Sequence, residues 1–364
     1  MAEEEGIDTR AVCTALVFWR NDMINYDEVT EKAGGNILDF SVNTNPLGMP
    51  ATVSGLEKYQ KLNEFYPDSD CTLLREKLSE KYSVKVENIL CGNGADEIIY
   101  RLPIAISPKS ALIAAPTYED YSKSLAVIDC GISYYIYKQE NGYKFDTDIY
   151  NAVNSDIVYI CNPNNPTGEL IKKEYIDRLA EACQKKGAYL VVDESFMGFI
   201  TNEKESVKNL IYKYKNLIVI DAFTKSYCMP GFRLGFCMCS DGALLEKIKG
   251  SGQSSSVSAY AQIAGIMALQ DKDYLNKAIE YISSERKYLL NGLKKSGVFV
   301  YSSDTNFILI KSPNRGFREM LLKNGIKARN CDDFIGLTEE HIRIAVKKHT
   351  DNERLLEIIK HIMK

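Results

Sequence analysis

"DAFTKSYCMPGFRLGF", residues 221–236, sets a lysine between Thr224 and Ser226 and, eight residues later, an arginine, Arg233. The lysine follows "NLIVIDAF" (216–223), a run with the apolar, β-branched texture of a buried strand. Most lysines are surface lysines in loops. Here the flanks are apolar, and a strand delivers the lysine to one edge of a sheet. A desolvated lysine can lose its proton and attack a carbonyl carbon. An arginine fork takes two oxygens of a phosphate at once.

Working outward, the same grammar repeats. "NILCGNGADEIIYRLPIAI" (88–106) reads as strand, Gly-rich turn and helix, and "SALIAAPTYEDYSKSLAVIDC" (110–130) as strand, loop and helix. "DIVYICNPNNPTG" (156–168) is a β-rich run closed by an Asn/Pro/Gly turn, and "AYLVVDESF" (188–196) a strand ending in carboxylates. "CTLLREKLSEKYSV" (71–84) and "KEYIDRLAEACQKKG" (173–187) carry helical spacing, the second with a glycine stop. Strands alternating with helices predict an α/β fold with a mainly parallel central sheet flanked by helices. Gly92 to Asp96, Asn162 to Gly168, Asp193 and Lys225 all fall at the C-terminal ends of predicted strands, the edge where open α/β sheets bind ligands. Beyond residue 255 the texture changes. A long helix (roughly 256–296) leads to three strand-like runs, "VFVYSSDTNFILIK", "GIKARNC" and "EHIRIAVK", and to the amphipathic "DNERLLEIIKHIMK". The expected division is an N-terminal arm (1–47) packing with the small domain, a large domain (48–255) and a smaller α+β domain (256–364).

The bulk numbers agree with such a chain. Its 364 residues exceed what one core usually serves. A net charge of -4 with no basic patch speaks against nucleic acid, and no apolar run approaches the ~20 residues of a membrane span. "AEEEG" before the short apolar "VCTALVFW" lacks the positive start of a signal peptide, which predicts a cytoplasmic protein. The ten cysteines include no CxxC pair, so no metal site is expected, and Cys237 and Cys239 alternate onto one strand face.

Several residues have a chemical reading beside a structural one. "GNGADE" is a tight turn or a phosphate nest, with the amides of Gly94, Ala95 and Asp96 aimed at an anion. Asp193 is a helix cap or the partner of a protonated ring nitrogen. Asn165 in "NPNNPTG" is a turn residue or a donor to a phenolic oxygen.

Lys225, Arg233, Asp193, "NPNNPTG" and "GNGADE", in this order, resemble the fold-type I pyridoxal-phosphate enzymes of aminotransferase class I/II, with an aspartate-aminotransferase-like fold, from about Asp39 to the C-terminus. The resemblance implies pyridoxal 5'-phosphate bound to Lys225 as a Schiff base, its ring nitrogen on Asp193, its phenolic oxygen on Asn165 and Tyr118 stacked on the ring. Gly94, Ala95, Asp96, Thr224 and Arg233 would hold the phosphate, and Tyr66 of "FYPDSD" would reach the neighbouring site of a homodimer. "LDFSVNTNPLGMP" (38–50), which contains Asn43, and "ARNCDDFIGLTEEHIRIAVK" (328–347) are similar to the branch shared by threonine-phosphate decarboxylases and histidinol-phosphate aminotransferases. Asn43, Asn165, Arg329 and Arg343 would then bind substrate, with the two arginines expected at strand ends beside the site. The implied enzyme acts on a small, phosphorylated amino acid or amine. The reading leans to a threonine-phosphate-type decarboxylase, with transamination of the histidinol-phosphate kind as the alternative. A non-catalytic binding relative is disfavoured by the intact Lys225, and a dinucleotide-dependent dehydrogenase by the absence of GxGxxG spacing.

Three positions depart from the family pattern. Ala33-Gly34-Gly35 stands where decarboxylases usually carry His-Gly-Gly, and Ala222 where a hydroxyl residue often assists the phosphate. Phe196 replaces a tyrosine that usually bonds the phenolic oxygen. Phe196→Tyr is expected to move the visible titration of the cofactor linkage to lower pH by about one unit, the scale of one net hydrogen bond. Coincident titration curves would leave Phe196 as packing.

Overall fold

The computed structural model describes residues 37–201 and 203–363. Ala33-Gly34-Gly35 and the rest of residues 1–36 of the expected arm lie outside the described residues. Thirteen strands are described: β1 (Leu38–Asp39), β2 (Ile89–Gly92), β3 (Ser110–Ala115), β4 (Gly131–Ile136), β5 (Ile157–Cys161), β6 (Tyr189–Asp193), β7 (Leu217–Ala222), β8 (Gly235–Met238), β9 (Phe299–Val300), β10 (Phe307–Lys311), β11 (Ile326–Lys327), β12 (Arg329–Asn330) and β13 (His341–Ala345).

Seven of them form the central sheet in the order β2-β8-β7-β6-β5-β3-β4. β7, β6, β5, β3 and β4 run parallel, while β8 is antiparallel to both its neighbours. β2 therefore points the same way as β7, and the C-terminal ends of β2, β3, β5, β6 and β7 meet at one edge. Every residue of β5 and β7 is buried, as expected for strands covered on both faces. One core cluster contains Val158, Val192 and Val219, and the other Tyr159, Val191 and Ile218. Neighbours along one strand thus enter opposite layers, which is the pleat at work. Cys237 and Cys239 both belong to the second layer.

The second sheet, β12-β13-β10-β9, is wholly antiparallel. Its core also takes Phe40, Phe196 and Phe199. β1 pairs with β11, which ties the segment after Leu38 to this half of the molecule. The long helix expected over 256–296 is two helices, Ala259–Gln270 and Tyr274–Lys295. The break is Asp271-Lys272-Asp273, where short acidic side chains compete with the backbone for hydrogen bonds and weaken helix. The first of the two packs on the segment Ala51–Glu64 and the helix Thr72–Tyr82, and the second on the C-terminal helix His349–Ile362. No helix among the described residues is long and apolar enough to cross a membrane.

Candidate active site

The converging strand ends build the site. At the end of β2, the helix Gly94–Ile106 begins directly, and Gly94 adopts φ +84°. A Cβ on Gly94 would lie 2.6 Å from Nη2 of Arg233, and one on Gly235 would lie 2.4 Å from the Ala95 nitrogen. The two glycines let a guanidinium settle against a helix start. Arg233 Nη2 donates to Asp96 Oδ2 at 2.6 Å, and its Nη1 to the Pro230 carbonyl at 3.3 Å. The first amides of a helix have no intrahelical acceptor, so those of Gly94, Ala95 and Asp96 add partial positive charge beside the guanidinium. The arrangement has the charge and open amides that could hold a phosphate.

Asp193 ends β6 and is 5% exposed. Its Oδ1 accepts from the Ser195 amide (2.9 Å) and hydroxyl (2.6 Å), and its Oδ2 from the Tyr121 hydroxyl (2.7 Å). Burial pushes the carboxyl above its usual range, and the Ser195 and Tyr121 hydrogen bonds pull against that rise. A buried carboxylate is costly without a cation. A protonated ring nitrogen supplies one, so these residues fit pyridoxal 5'-phosphate.

Tyr118 lies after β3. Its hydroxyl donates to Asp120 Oδ2 at 2.7 Å and also lies 3.2 Å from Asp96 Oδ1. Burial, then Asp96 and Asp120, push its phenol up, so it stays a neutral aromatic face. Lys225 is half-buried in the one-turn helix Phe223–Ser226 that follows β7, with Thr224 beside it. The Asn45 amide donates to the Lys225 carbonyl (3.1 Å), and Asn45 Nδ2 to the Ser226 carbonyl (2.8 Å).

The second sheet contributes the arginines. Arg343 was expected at a strand end but lies in the middle of β13, 6% exposed, because the strand runs on to Ala345. Its Nη1 donates to Asn165 Oδ1 and its Nη2 to the Ser41 carbonyl at 2.8 Å. Burial lowers its pKa to about 10, and its Nε has no partner. Arg329 stands directly across from it in the β12–β13 pairing. Arg329 itself is half-buried and holds Asp333 at 2.5 Å. Asn43 is 2% exposed, and its Nδ2 also lacks a partner.

The structure thus gathers Gly94, Ala95, Asp96 and Arg233 in one cradle, Tyr118 beside Asp96, and Asn165 against Arg343. Tyr66 is 96% exposed and stands apart from these residues within its own chain. Phe196 packs edge-on to Phe307 at 5.0 Å, which favours its packing role. Sequence reasoning missed Tyr121 and Ser195, the two donors to Asp193. It also missed Ser41, whose contribution is a carbonyl and leaves no mark in a side-chain pattern.

The chain matches the family described as aminotransferase class I and II over residues 35–362. It is 30% identical to the threonine-phosphate decarboxylase of Salmonella typhimurium, covering 90% of this chain and 91% of that protein. It is 31% identical to histidinol-phosphate aminotransferase 2 of Archaeoglobus fulgidus, covering 90% and 93%. It is 32% identical to an adenosylcobalamin biosynthesis bifunctional protein of Leptospira interrogans over 93% of this chain, but spans only 40% of that protein. The crystal structure of the histidinol-phosphate aminotransferase from Clostridium acetobutylicum superposes with a TM-score of 0.85 at 29% identity, covering 90% of this chain and 99% of that one.

A carboxyl whose pKa is raised by the fold takes up its proton more readily folded than unfolded. Stability is then lost as pH rises from the unfolded value through the folded one. Asp193→Asn is therefore expected to raise the melting temperature of the cofactor-free protein at neutral pH while weakening cofactor affinity. Calorimetry of the apo forms and a cofactor titration check the pair of effects, and an unchanged affinity would remove Asp193 from the ring-nitrogen role.

Proposed function

The chain belongs to the aminotransferase class I and II family and is a pyridoxal-phosphate-dependent enzyme, and we propose that it acts on a small amino acid or amine that carries phosphate. The observation that carries this reading is the Arg343–Arg329 pair. Like charges directly opposite in a sheet are unfavourable. Arg343 is also buried with no carboxylate partner among the described residues. An anionic substrate relieves both. The reaction proposed first is decarboxylation of the threonine-phosphate kind. The second, for which the Archaeoglobus relative speaks, is transamination of the histidinol-phosphate kind. Product analysis with threonine phosphate, serine phosphate and histidinol phosphate, following carbon dioxide release and keto-acid exchange in parallel, decides between them.

The proposal gives each residue a role. Bound in the cradle, pyridoxal 5'-phosphate supplies an aldehyde that condenses with amines and a ring that draws electrons from the adjacent carbon. Asp193 keeps a proton on the ring nitrogen, held in line by Tyr121 and Ser195. Lys225 is the nucleophilic amine, later placed to carry a proton at the substrate carbon. Arg233, Thr224 and the amides of Gly94, Ala95 and Asp96 hold the phosphate. Tyr118 covers one ring face. Asn165 gives its oxygen to Arg343, which leaves its amide hydrogens for the phenolic oxygen. Arg343, Arg329 and Asn43 orient the substrate anions. The chain divides at about residues 48 and 256 into arm, large and small domains. A cytoplasmic homodimer completes the reading, with exposed Phe65 and Tyr66 meeting the second copy.

Purified protein is expected to be yellow, and borohydride to fix the cofactor on Lys225. Lys225→Ala abolishes turnover while still binding cofactor. A reduced adduct mapped to another lysine would overturn the site. Arg343→Ala is expected to lower kcat/KM by about 2–5 kcal/mol of transition-state binding while the cofactor spectrum stays as it was. An unchanged kcat/KM would remove Arg343 from the substrate site.

A further inference from the structure

A second polar cluster lies at the same sheet edge. Lys208 is 5% exposed, Glu194 0% and Asp221 6%. Lys208 Nζ lies 2.6 Å from Glu194 Oε2 and 2.8 Å from Asp221 Oδ2, and 4.9 Å from the centre of the Tyr82 ring. Glu194 also accepts from the Val207 amide (2.6 Å) and the Ser206 hydroxyl (2.7 Å). Asp221 accepts from the Ala222 amide (2.7 Å). Burial pulls the Lys208 ammonium down, but Asp221 and Glu194 outweigh it and keep the lysine charged.

Such a cluster is an inefficient source of stability, since apolar residues of similar volume often do as well. Its location points elsewhere. Glu194 is the residue after Asp193, and its amide extends the β6–β7 ladder by donating to the Ile220 carbonyl at 2.8 Å. Asp221 lies in β7, four residues before Lys225. The two carboxylates thus sit on the adjacent strands that present the ring-nitrogen partner and the nucleophile, and one ammonium joins them. We propose that Lys208 is a positioning residue that, by bridging Glu194 and Asp221, fixes the separation between the Asp193 carboxylate and the Lys225 amine. The inference rests on the roles of Asp193 and Lys225 given above. Lys208 acts through its neighbours: its ammonium is committed to two carboxylates and covered by Tyr82. Displacements well under 1 Å in a site of this kind suffice to slow chemistry.

The test uses the full chain reconstituted with pyridoxal 5'-phosphate, comparing parent, Lys208→Met and Lys208→Arg. The readouts are visible circular dichroism per bound cofactor, kcat and KM on the substrate that the parent turns over, and peptide mapping of the borohydride adduct. Lys208→Met is expected to change the visible dichroism and lower kcat by about 10²-fold, with KM within about threefold. Lys208→Arg restores part of both. A Lys208→Met protein with a lower melting temperature but parental dichroism and kcat overturns the proposal. If Lys208→Met does not fold, Asp221→Asn, which keeps the acceptor for the Ala222 amide, decides by the same readouts: altered dichroism and kcat support the bridge, and parental values overturn it. An adduct on Lys225 in every variant, with parental spectra, overturns the positioning role alone. An adduct elsewhere in the parent overturns both readings.

Discussion

The Asp193 carboxylate is buried at the end of β6 and takes hydrogen bonds on both oxygens. Much of the large domain's edge is arranged to hold that carboxylate in place. Tyr121, stacked on Tyr159 at 5.2 Å, is buried to deliver one hydroxyl. The β6–β7 ladder continues past Asp193 so that Ser195 turns back onto it. A buried carboxylate favours a cationic ring beside it, and the Arg233–Gly94 contact fits the anionic tail of such a ring.

The segment Ser41–Asn45 joins this edge to the second sheet. Its carbonyls accept from Arg343 at Ser41, from Lys347 at Val42 and from Asn306 at Asn43, while Asn45 binds the backbone of Lys225 and Ser226. One short irregular strip therefore couples Arg343 to the turn that bears Lys225. The exposed segment after it, with Phe65 and Tyr66, faces away from this chain's own core.

Much of this was legible because the chemistry sits where local pattern is strong. Buried strands announce themselves by continuous Val and Ile runs, and a polar residue at the end of such a run is a site residue by position. Lys225, Asp193, Asn165 and Gly94 were all singled out that way, and the structure places each of them at or just past a strand end. Arg343 was found by resemblance but placed at a strand end, because alternation alone does not say where pairing stops. The helix break at Asp271–Asp273 was hidden because helix-favouring residues continue on both sides of it. The Lys208 bridge was missed since Lys208 lies in a polar-looking stretch. The mark it left was Asp221, a charge inside the apolar "NLIVIDAF", where an unpaired carboxylate is not tolerated.

The Ser41–Arg343 and Asn45–Ser226 contacts span 302 and 181 residues of chain. Domains fold as units while the chain is being made, N-terminal parts first. The central sheet, whose last strand is β8, has all its strands long before β13 exists. The strip at Ser41 emerges among the first described residues, yet its arginine partner arrives near the end of synthesis. A nascent chain therefore passes through a stage in which the sheet that bears Lys225 can be formed while β13 and Arg343 have yet to be synthesised. Closure of the Ser41–Arg343 contact is tied to completion of the polypeptide, so a chain that ends before β13 can build the central sheet but not that contact.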